Sequence, residues 1–338
     1  MTLGIDGMIL DTAELSLKEG RVAGSPGSSK ASDYLDARMK ESGMQPFSGG
    51  GYRLPYTHEG RAFVNLAGVI PGESGGERAL LLGAHYDSAV EGPCSDDNAA
   101  AVALLLDIAT SLADTRLSRP VMFAFFDAEE QPFFGTPAMG SIRFVEDYGD
   151  AVSSAVILDA IGHSFELMVP ILDRTFRRIS ELIFVSGAED HPCFVSSVEE
   201  TALCARGLRV VPVLGRYIGQ RSDDMAFRES GIPCLFISRG SGRHTHTKLD
   251  NMEWIDFRAV SRVRDWVMTL ARRLDAHCRE GFTAPEDTLE MEKRMLKRAL
   301  GPLLPGLMLY LGIRKVAPNS RQDMDDIARR LRKYLKIK

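Results

Sequence analysis

The stretch that decides the fold is VMFAFFDAEE, residues 121–130. Its first six residues are all apolar, which is typical of a central strand covered on both faces of a sheet. Three acidic residues follow the strand within four positions. Residues 155–158 and 234–237 form two further short apolar runs of the same kind. Together these runs predict a buried sheet with polar groups where its strands end.

Helical patterns lie between the apolar runs, as expected for a sheet whose strands are mostly parallel. The predicted helices cover residues 11–20, 29–42, 99–112, 136–146, 174–184, 223–229 and 256–274. Residues 65–70 and 79–84 are two apolar runs separated by a Pro/Gly turn signal, and they are predicted to form a strand pair. The fold class is therefore α/β, a mostly parallel mixed sheet covered by helices on both faces.

Size and composition exclude several classes of protein. The chain has 338 residues, 44% of them hydrophobic, and a formal net charge of −5, which gives no reason to expect nucleic acid. The chain contains no run of about 18 apolar residues, which is the length needed to span a membrane. The first ten residues lack the features of a signal peptide, and five scattered cysteines are expected to be free thiols in a reducing compartment. The predicted location is cytoplasmic.

The composition changes after residue 284. Residues 1–284 are predicted to form the α/β domain, and residues 285–338 a basic helical extension with helices at 290–300 and 322–335. Residues 303–313 are apolar and are expected to pack on the domain or on a second subunit, since exposed apolar surface usually has a partner. A homo-oligomer formed through the extension is one expectation.

Five short segments carry metal-ligand residue types, and three of them follow predicted strands. Ligands bind at the carboxyl edge in open α/β sheets, so the segments are expected to meet there. Two His, two Asp and one Glu suit a borderline metal such as zinc. The candidate ligands are His85, Asp97, Glu130, Asp159 and His246.

The order and content of these segments resemble the co-catalytic di-zinc aminopeptidases of metallopeptidase clan MH, the bacterial leucyl aminopeptidase type. The resemblance rests on His-Tyr-Asp-Ser at residues 85–88, Asp-Asp-Asn at 96–98, Glu-Glu at 129–130 and His-Thr-x-x-Asp at 246–250, with GRVAGSPG at 20–27. It covers residues 20–274 and implies the zinc-exopeptidase (phosphorylase/hydrolase-like) fold. It also implies two zinc ions and removal of the N-terminal residue from peptides by metal-activated water.

By the same resemblance, Asp97 bridges two metals, with His85 and Asp159 on one and Glu130 and His246 on the other. Glu129 is implied as the general base, and Asp87 as the carboxylate that orients His85. Peptides with a free N-terminus are the implied partners.

Several assignments remain open at this point. His244 competes with His246 for the last ligand position, and Asp250 could support His246 or form a turn. His163 follows the Asp159 loop and could support a ligand from behind, but an ordinary surface position is the expectation. Arg221 and Tyr217 are candidate substrate-binding residues, because the group that would stabilise the tetrahedral oxyanion is unsettled.

Two alternative functions are consistent with the same residues. Glutaminyl-peptide cyclotransferases are related, use one zinc and cyclise without an attacking water. Release of a free amino acid and the metal stoichiometry separate them from aminopeptidases. A non-catalytic binding relative is the second alternative, and the presence of all five ligands and the base argues against it.

Overall fold

The computed structural model describes residues 4–74, 78–163, 180–219, 221–278 and 287–334. Within them, a nine-stranded mixed sheet is flanked by helices, and the α/β fold predicted from the sequence is confirmed. In this part of the chain, the helices are too short or too polar to cross a bilayer.

The strands are β1 (Gln45–Pro46), β2 (Arg53–His58), β3 (Arg61–Ile70), β4 (Ala79–His85), β5 (Val121–Phe126), β6 (Val152–Asp159), β7 (Leu182–Ser186), β8 (Arg209–Pro212) and β9 (Cys234–Ser238). The α-helices are α1 (Ile5–Leu15), α2 (Pro26–Glu41), α3 (Ala100–Asp114), α4 (Gly140–Tyr148), α5 (Pro192–Cys204), α6 (Gly215–Ile218), α7 (Asp224–Glu229), α8 (Phe257–His277), α9 (Leu289–Leu300), α10 (Leu304–Tyr310) and α11 (Arg321–Tyr334).

The strand order is β1-β3-β5-β4-β6-β9-β7-β8, and β2 also pairs with β3. The central strands β5, β4, β6 and β9 run parallel, whereas β3 and β7 join them antiparallel. Successive residues of β5 point to opposite faces of the sheet. Phe123 and Phe125 pack in the larger core with α3 and α8, whereas Phe126 packs on the other face against α4 and α7. The sheet is therefore buried on both faces, as the apolar strand β5 predicts.

Three predicted elements differ in the structure. The run at 65–70 and β4 do not pair with each other, because β5 lies between them and bonds to both. The first helix, α1, begins six residues earlier than predicted, since its apolar stripe includes Met8 and Leu15. Most of the helix expected at residues 174–184 lies outside the described residues, and its last three positions belong to β7.

The C-terminal extension packs on the domain rather than standing apart. Its apolar side chains, including Leu300 and Met308, form one cluster with Leu182 of β7 and Val211 of β8. These two strands end the sheet on this side, so the extension covers apolar surface that the edge would otherwise expose. Residues 303–313 are expected to pack on the domain or on a second subunit, and in the structure they pack on the domain.

The expectation of five free thiols is wrong for two of them. Cys193 at the start of α5 and Cys278 after α8 form a disulfide, with Cα atoms 5.6 Å apart. They are 85 residues apart in sequence, so spacing alone could not reveal the pair. Cys94, Cys204 and Cys234 are free. The thiol argument for a cytoplasmic location therefore no longer holds.

Candidate metal centre

Three neighbouring parallel strands bring the predicted ligands to one edge of the sheet. His85 is the last residue of β4, Asp159 is the last residue of β6, and the Glu129–Glu130 pair follows β5. These three strands lie side by side in the order β5-β4-β6, and their carboxyl ends point the same way. The geometry is the one expected for a binding site in an open α/β sheet.

Asp97 is the centre of the cluster, between two histidines. Its Oδ1 lies 3.2 Å from His85 Nε2, and its Oδ2 lies 3.0 Å from His246 Nε2. Asp159 Oδ1 is 3.7 Å from His85 Nε2, and Glu130 Oε2 is 3.4 Å from His246 Nε2. The two carboxylate oxygens of Asp97 thus face different histidines, and each histidine has a further carboxylate beside it.

Asp87 connects the first histidine to the acidic pair. Its Oδ1 accepts a hydrogen bond from His85 Nδ1 at 3.3 Å. The same carboxylate accepts hydrogen bonds from the backbone N–H groups of Glu129 and Glu130, both at 3.1 Å. A proton held on Nδ1 leaves the lone pair of Nε2 directed at Asp97 and Asp159, which is the tautomer that a metal requires.

Asp250 holds the segment that carries Asp97. Its two carboxylate oxygens accept hydrogen bonds from the N–H groups of Asp96 (3.0 Å) and Asp97 (3.1 Å). Of the two roles considered for Asp250, support of His246 and turn formation, the backbone shows the turn, since the N–H of Asp250 donates to the carbonyl of Thr247 at 3.1 Å. Its carboxylate does not support His246. Asp250 instead anchors the central carboxylate across 153 positions of sequence.

We expect Asp250→Ala to lower metal affinity by about 10–100-fold without removing a ligand, because Asp97 would lose its anchored backbone. Titration with a competing chelator measures the effect. Asp256→Ala is the matched control, since Asp256 also accepts from two N–H groups, those of Arg258 and Ala259, but at the start of α8. The control should cost about 1 kcal/mol of stability and keep its metal. Equal affinities in the two variants would contradict the assignment.

Two further residues organise the site; they stand in the motifs at residues 96–98 and 20–27, but the sequence indicates no role for either of them. Asp96 accepts hydrogen bonds from the N–H groups of Gly162 and His163 and from the His163 ring, which ties the loop after Asp159 to the Asp97 segment. His163 is therefore buried at 8% exposure, not a surface residue as expected. Arg21 is fully buried and donates to the carbonyls of Tyr86, Pro93 and Cys94. It fixes the chain between the first two ligand segments.

The structure distinguishes the two competing histidines. His246 lies beside Asp97 and Glu130, with its side chain 59% exposed. The His244 ring instead lies 4.4 Å from the ring of Trp254. We therefore expect His246→Ala to lose most bound metal and His244→Ala to retain it, as measured by metal content after gel filtration. Metal loss in His244→Ala alone would show that the wrong histidine is assigned.

Burial of the acidic side chains in the cluster favours binding of a cation. Burial raises the pKa of Glu130 to about 9 and raises the pKa of Asp159 and Glu129 above their usual values. Burial also opposes ionisation of Asp97, but the neighbouring side chains of His246 and His85 lower its pKa. His85 Nε2 and Glu130 Oε1 are buried without a hydrogen-bond partner. A bound cation would supply that partner and offset the repulsion among the carboxylates.

The two candidate substrate residues lie on the segment between β8 and α7. Arg221 is exposed, and its Nε donates to the carbonyl of Ile218 at 2.8 Å. The hydroxyl of Tyr217 donates to Asp325 of α11. Asp223 and Asp224, which follow Arg221, are buried, and burial raises the pKa of each to about 7. The contacts of Arg221 and Tyr217 with a substrate stay a prediction.

A doubly covered sheet with a His, Asp and Glu cluster at its carboxyl edge defines a metal-dependent hydrolase. The chain matches the model of Peptidase family M28 over residues 65–271. It belongs to that family.

The chain also resembles known proteins in sequence and in fold. Protein YfbL of Escherichia coli (strain K12), which is uncharacterized, is 26% identical over 211 residues; the match covers 56% of this chain and 65% of YfbL. A Zn-dependent exopeptidase from Parabacteroides distasonis superposes with a TM-score of 0.63 at 18% identity, over 80% of this chain and 99% of that one. Porphyromonas gingivalis glutaminyl cyclase gives 0.62 at 21% identity, over 80% and 98%. At such identities the structural matches show a shared fold.

Proposed function

We propose that this protein is a zinc-dependent aminopeptidase that removes the N-terminal residue of a peptide. The observation that carries the proposal is the placement of Asp97 between His85 and His246, with Glu130 and Asp159 beside them. Membership of a peptidase family and the likeness to a zinc-dependent exopeptidase support it.

The residues present fit two zinc ions. His85 and Asp159 would hold one, Glu130 and His246 the other, and Asp97 would be shared, because a carboxylate can offer one oxygen to each metal. The unpartnered Nε2 of His85 and Oε1 of Glu130 are consistent with this arrangement. When bound, zinc acts as a Lewis acid on the scissile carbonyl and on water.

Glu129 is proposed to move the proton. Its Oε2 lies 3.9 Å from His85 Nε2, so it faces the cluster from a buried position. Burial raises its pKa, which improves its ability to accept a proton from the attacking water and to donate it to the leaving amine. The Asp87 carboxylate accepts a hydrogen bond from the N–H group of Glu129. This bond fixes the Glu129 backbone and therefore the point from which its side chain extends.

The free α-amine of a peptide is proposed to bind beside Glu129 and Asp159. Glu129 is buried and the Asp159 side chain is 15% exposed, both next to the ligand cluster, and a cationic amine is stabilised in such an acidic, partly desolvated place. Arg221 and Tyr217 are proposed to contact the rest of the substrate. The proposed substrates are therefore peptides with an unblocked N-terminus.

A glutaminyl cyclase activity is the second candidate. Asp97 Oδ2 and Glu130 Oε2 lie 3.0 Å and 3.4 Å from His246 Nε2, so one zinc could be held by these three alone. Likeness to the Porphyromonas gingivalis glutaminyl cyclase supports this reading.

Metal analysis of the purified protein, combined with two substrate series, separates the candidates. Aminoacyl-nitroanilides and tripeptides should release a free amino acid, and the protein should hold two zinc ions per chain. One zinc per chain with cyclisation of N-terminal glutaminyl peptides would overturn the aminopeptidase proposal. Sedimentation of the same sample tests the predicted self-association, and fractionation of cells tests the predicted cytoplasmic location.

A further inference from the structure

The C-terminal helix α11 makes polar contacts with the segment that leads into the site. Asp325 on this helix accepts a hydrogen bond from the hydroxyl of Tyr217 and another from Arg216 Nη2 at 2.7 Å. The Arg216 guanidinium also lies 5.1 Å from the centre of the Tyr217 ring. One carboxylate of the extension therefore engages two consecutive residues of the short helix α6.

The charge state of these partners makes the contact strong. Partial burial acts to raise the pKa of Asp325, but the hydrogen bonds from Tyr217 and Arg216 hold it below the usual value. Burial, followed by the bond to Asp325, raises the pKa of Tyr217, so the hydroxyl remains a donor at neutral pH. A hydrogen bond from a neutral hydroxyl to a carboxylate is about twice as strong as one between neutral groups.

The other end of α6 is fixed by the domain itself. The N–H of Gly215 donates to Glu189 Oε1 at 2.7 Å, and Arg228 of α7 pairs with Glu189 at 3.3 Å and with Asp190 at 2.9 Å. Asp325 thus supplies a further attachment of α6, at Arg216 and Tyr217, and Arg321 of α11 also contacts Tyr217.

Helix α6 is connected to the metal cluster by the backbone that follows it and by the side chain of Phe227. Arg221 donates to the carbonyl of Ile218, the last residue of α6. The buried Asp223 and helix α7 follow directly, and Phe227 of α7 packs against Phe126 at the carboxyl end of β5, with ring centres 6.0 Å apart. The Glu129–Glu130 pair begins three residues after Phe126. A shift of α6 would therefore displace the exposed Arg221 first.

We propose that Asp325 is a positioning residue for substrate binding, which holds Tyr217 and α6 so that Arg221 stands fixed at the rim of the metal cluster. The extension is then part of the substrate site although it supplies no metal ligand. This inference rests on the proposed function for the identity of the substrate, and on the contacts of α6 for the role of Asp325.

The test uses the full chain carrying Asp325→Ala or Tyr217→Phe, with Asp326→Ala as the control. Asp326 is the next residue of α11 and pairs with Arg329 at 2.8 Å on the exposed side. With Leu-Gly-Gly as substrate, both test variants should raise KM by about tenfold and keep kcat within about twofold, as the loss of one charge-assisted hydrogen bond implies. Zinc content and thermal unfolding should match the control.

A double variant, Asp325→Ala with Tyr217→Phe, should be no worse than Asp325→Ala alone, because that single variant already removes the bond to Tyr217 together with the one to Arg216. KM within twofold of the unchanged protein in both single variants would overturn the proposal. A fall in kcat together with loss of zinc would also overturn it, since Asp325 would then act on the metal site and not on the substrate.

A binding measurement keeps this inference separate from the proposed function. Leucine hydroxamate reaches the metal and the surrounding walls, whereas acetohydroxamate reaches the metal alone. Asp325→Ala should weaken leucine hydroxamate by about tenfold and leave acetohydroxamate unchanged. If the unchanged protein hydrolysed no peptide, the aminopeptidase proposal would fail, and the hydroxamate pair would still decide the role of Asp325. Equal weakening of both probes, or of neither, would refute that role.

Discussion

Glu129→Gln should lower kcat by about 10²–10⁴, the usual contribution of a general base, while bound zinc stays at the level of the unchanged protein. The amide keeps the size of the side chain but cannot accept a proton. Glu129 lies beside the ligand cluster, and its backbone is fixed by Asp87, so the substitution should leave the surrounding geometry in place. Steady-state kinetics and metal analysis on the same preparation measure both quantities.

Glu130→Gln is the matched control for this variant, because it makes the same change one residue later. Glu130 lies 3.4 Å from His246 Nε2 and is assigned as a ligand, so its substitution should lower metal affinity together with activity. The contrast between neighbouring residues is the decisive result. Near-normal turnover in Glu129→Gln would remove Glu129 from the mechanism, and loss of zinc in that variant would make it a ligand.

Asp97→Ala should reduce metal affinity by more than about 100-fold, the upper end of what the loss of a supporting residue causes, and should abolish measurable hydrolysis. The reason is its shared position: one oxygen faces His85 and the other faces His246. If two ions bind, both should be lost together. Calorimetric titration of the metal-free protein with zinc measures the affinity and the number of ions.

Asp127→Asn is a suitable control for the loss of Asp97. Asp127 is also a buried carboxylate at this edge of the sheet, but its oxygens accept from the N–H groups of Val64 and Ala128. The control should therefore bind zinc normally. An Asp97→Ala protein that retained one tightly bound zinc would instead show that the two ligand pairs act independently.

The sheet could be predicted largely because its central strands are wholly apolar. Residues 121–126 form β5 with the predicted bounds, and the predicted run at 155–158 lies within β6. Pairing could not be predicted in the same way. The runs at 65–70 and 79–84 are neighbours in sequence, but β5 enters between them, and nothing in the hydrophobic pattern reports which strand lies beside which.

The candidate ligands could be named from the sequence because each stands at a strand end or in a short motif. Asp87, two residues after His85, could be named as a support in the same way, but the long-range supports could not, because those residues act across long separations. Asp250 anchors Asp97 from 153 positions away, and Arg21 reaches Cys94 across 73. A carboxylate or guanidinium in a turn gives no local signal of such a partner. The same holds for Asp325 and Tyr217, which are 108 residues apart.

The disulfide between Cys193 and Cys278 closes a covalent ring that contains one of the five candidate metal ligands. His246 lies inside the covalent ring that this bond closes, whereas His85, Asp97, Glu130 and Asp159 all precede the ring. Closing a ring of 85 residues lowers the entropy of the unfolded chain by an amount equivalent to about 4–5 kcal/mol. The last ligand therefore comes from within a covalently closed loop, whereas the other four come from the chain that precedes it.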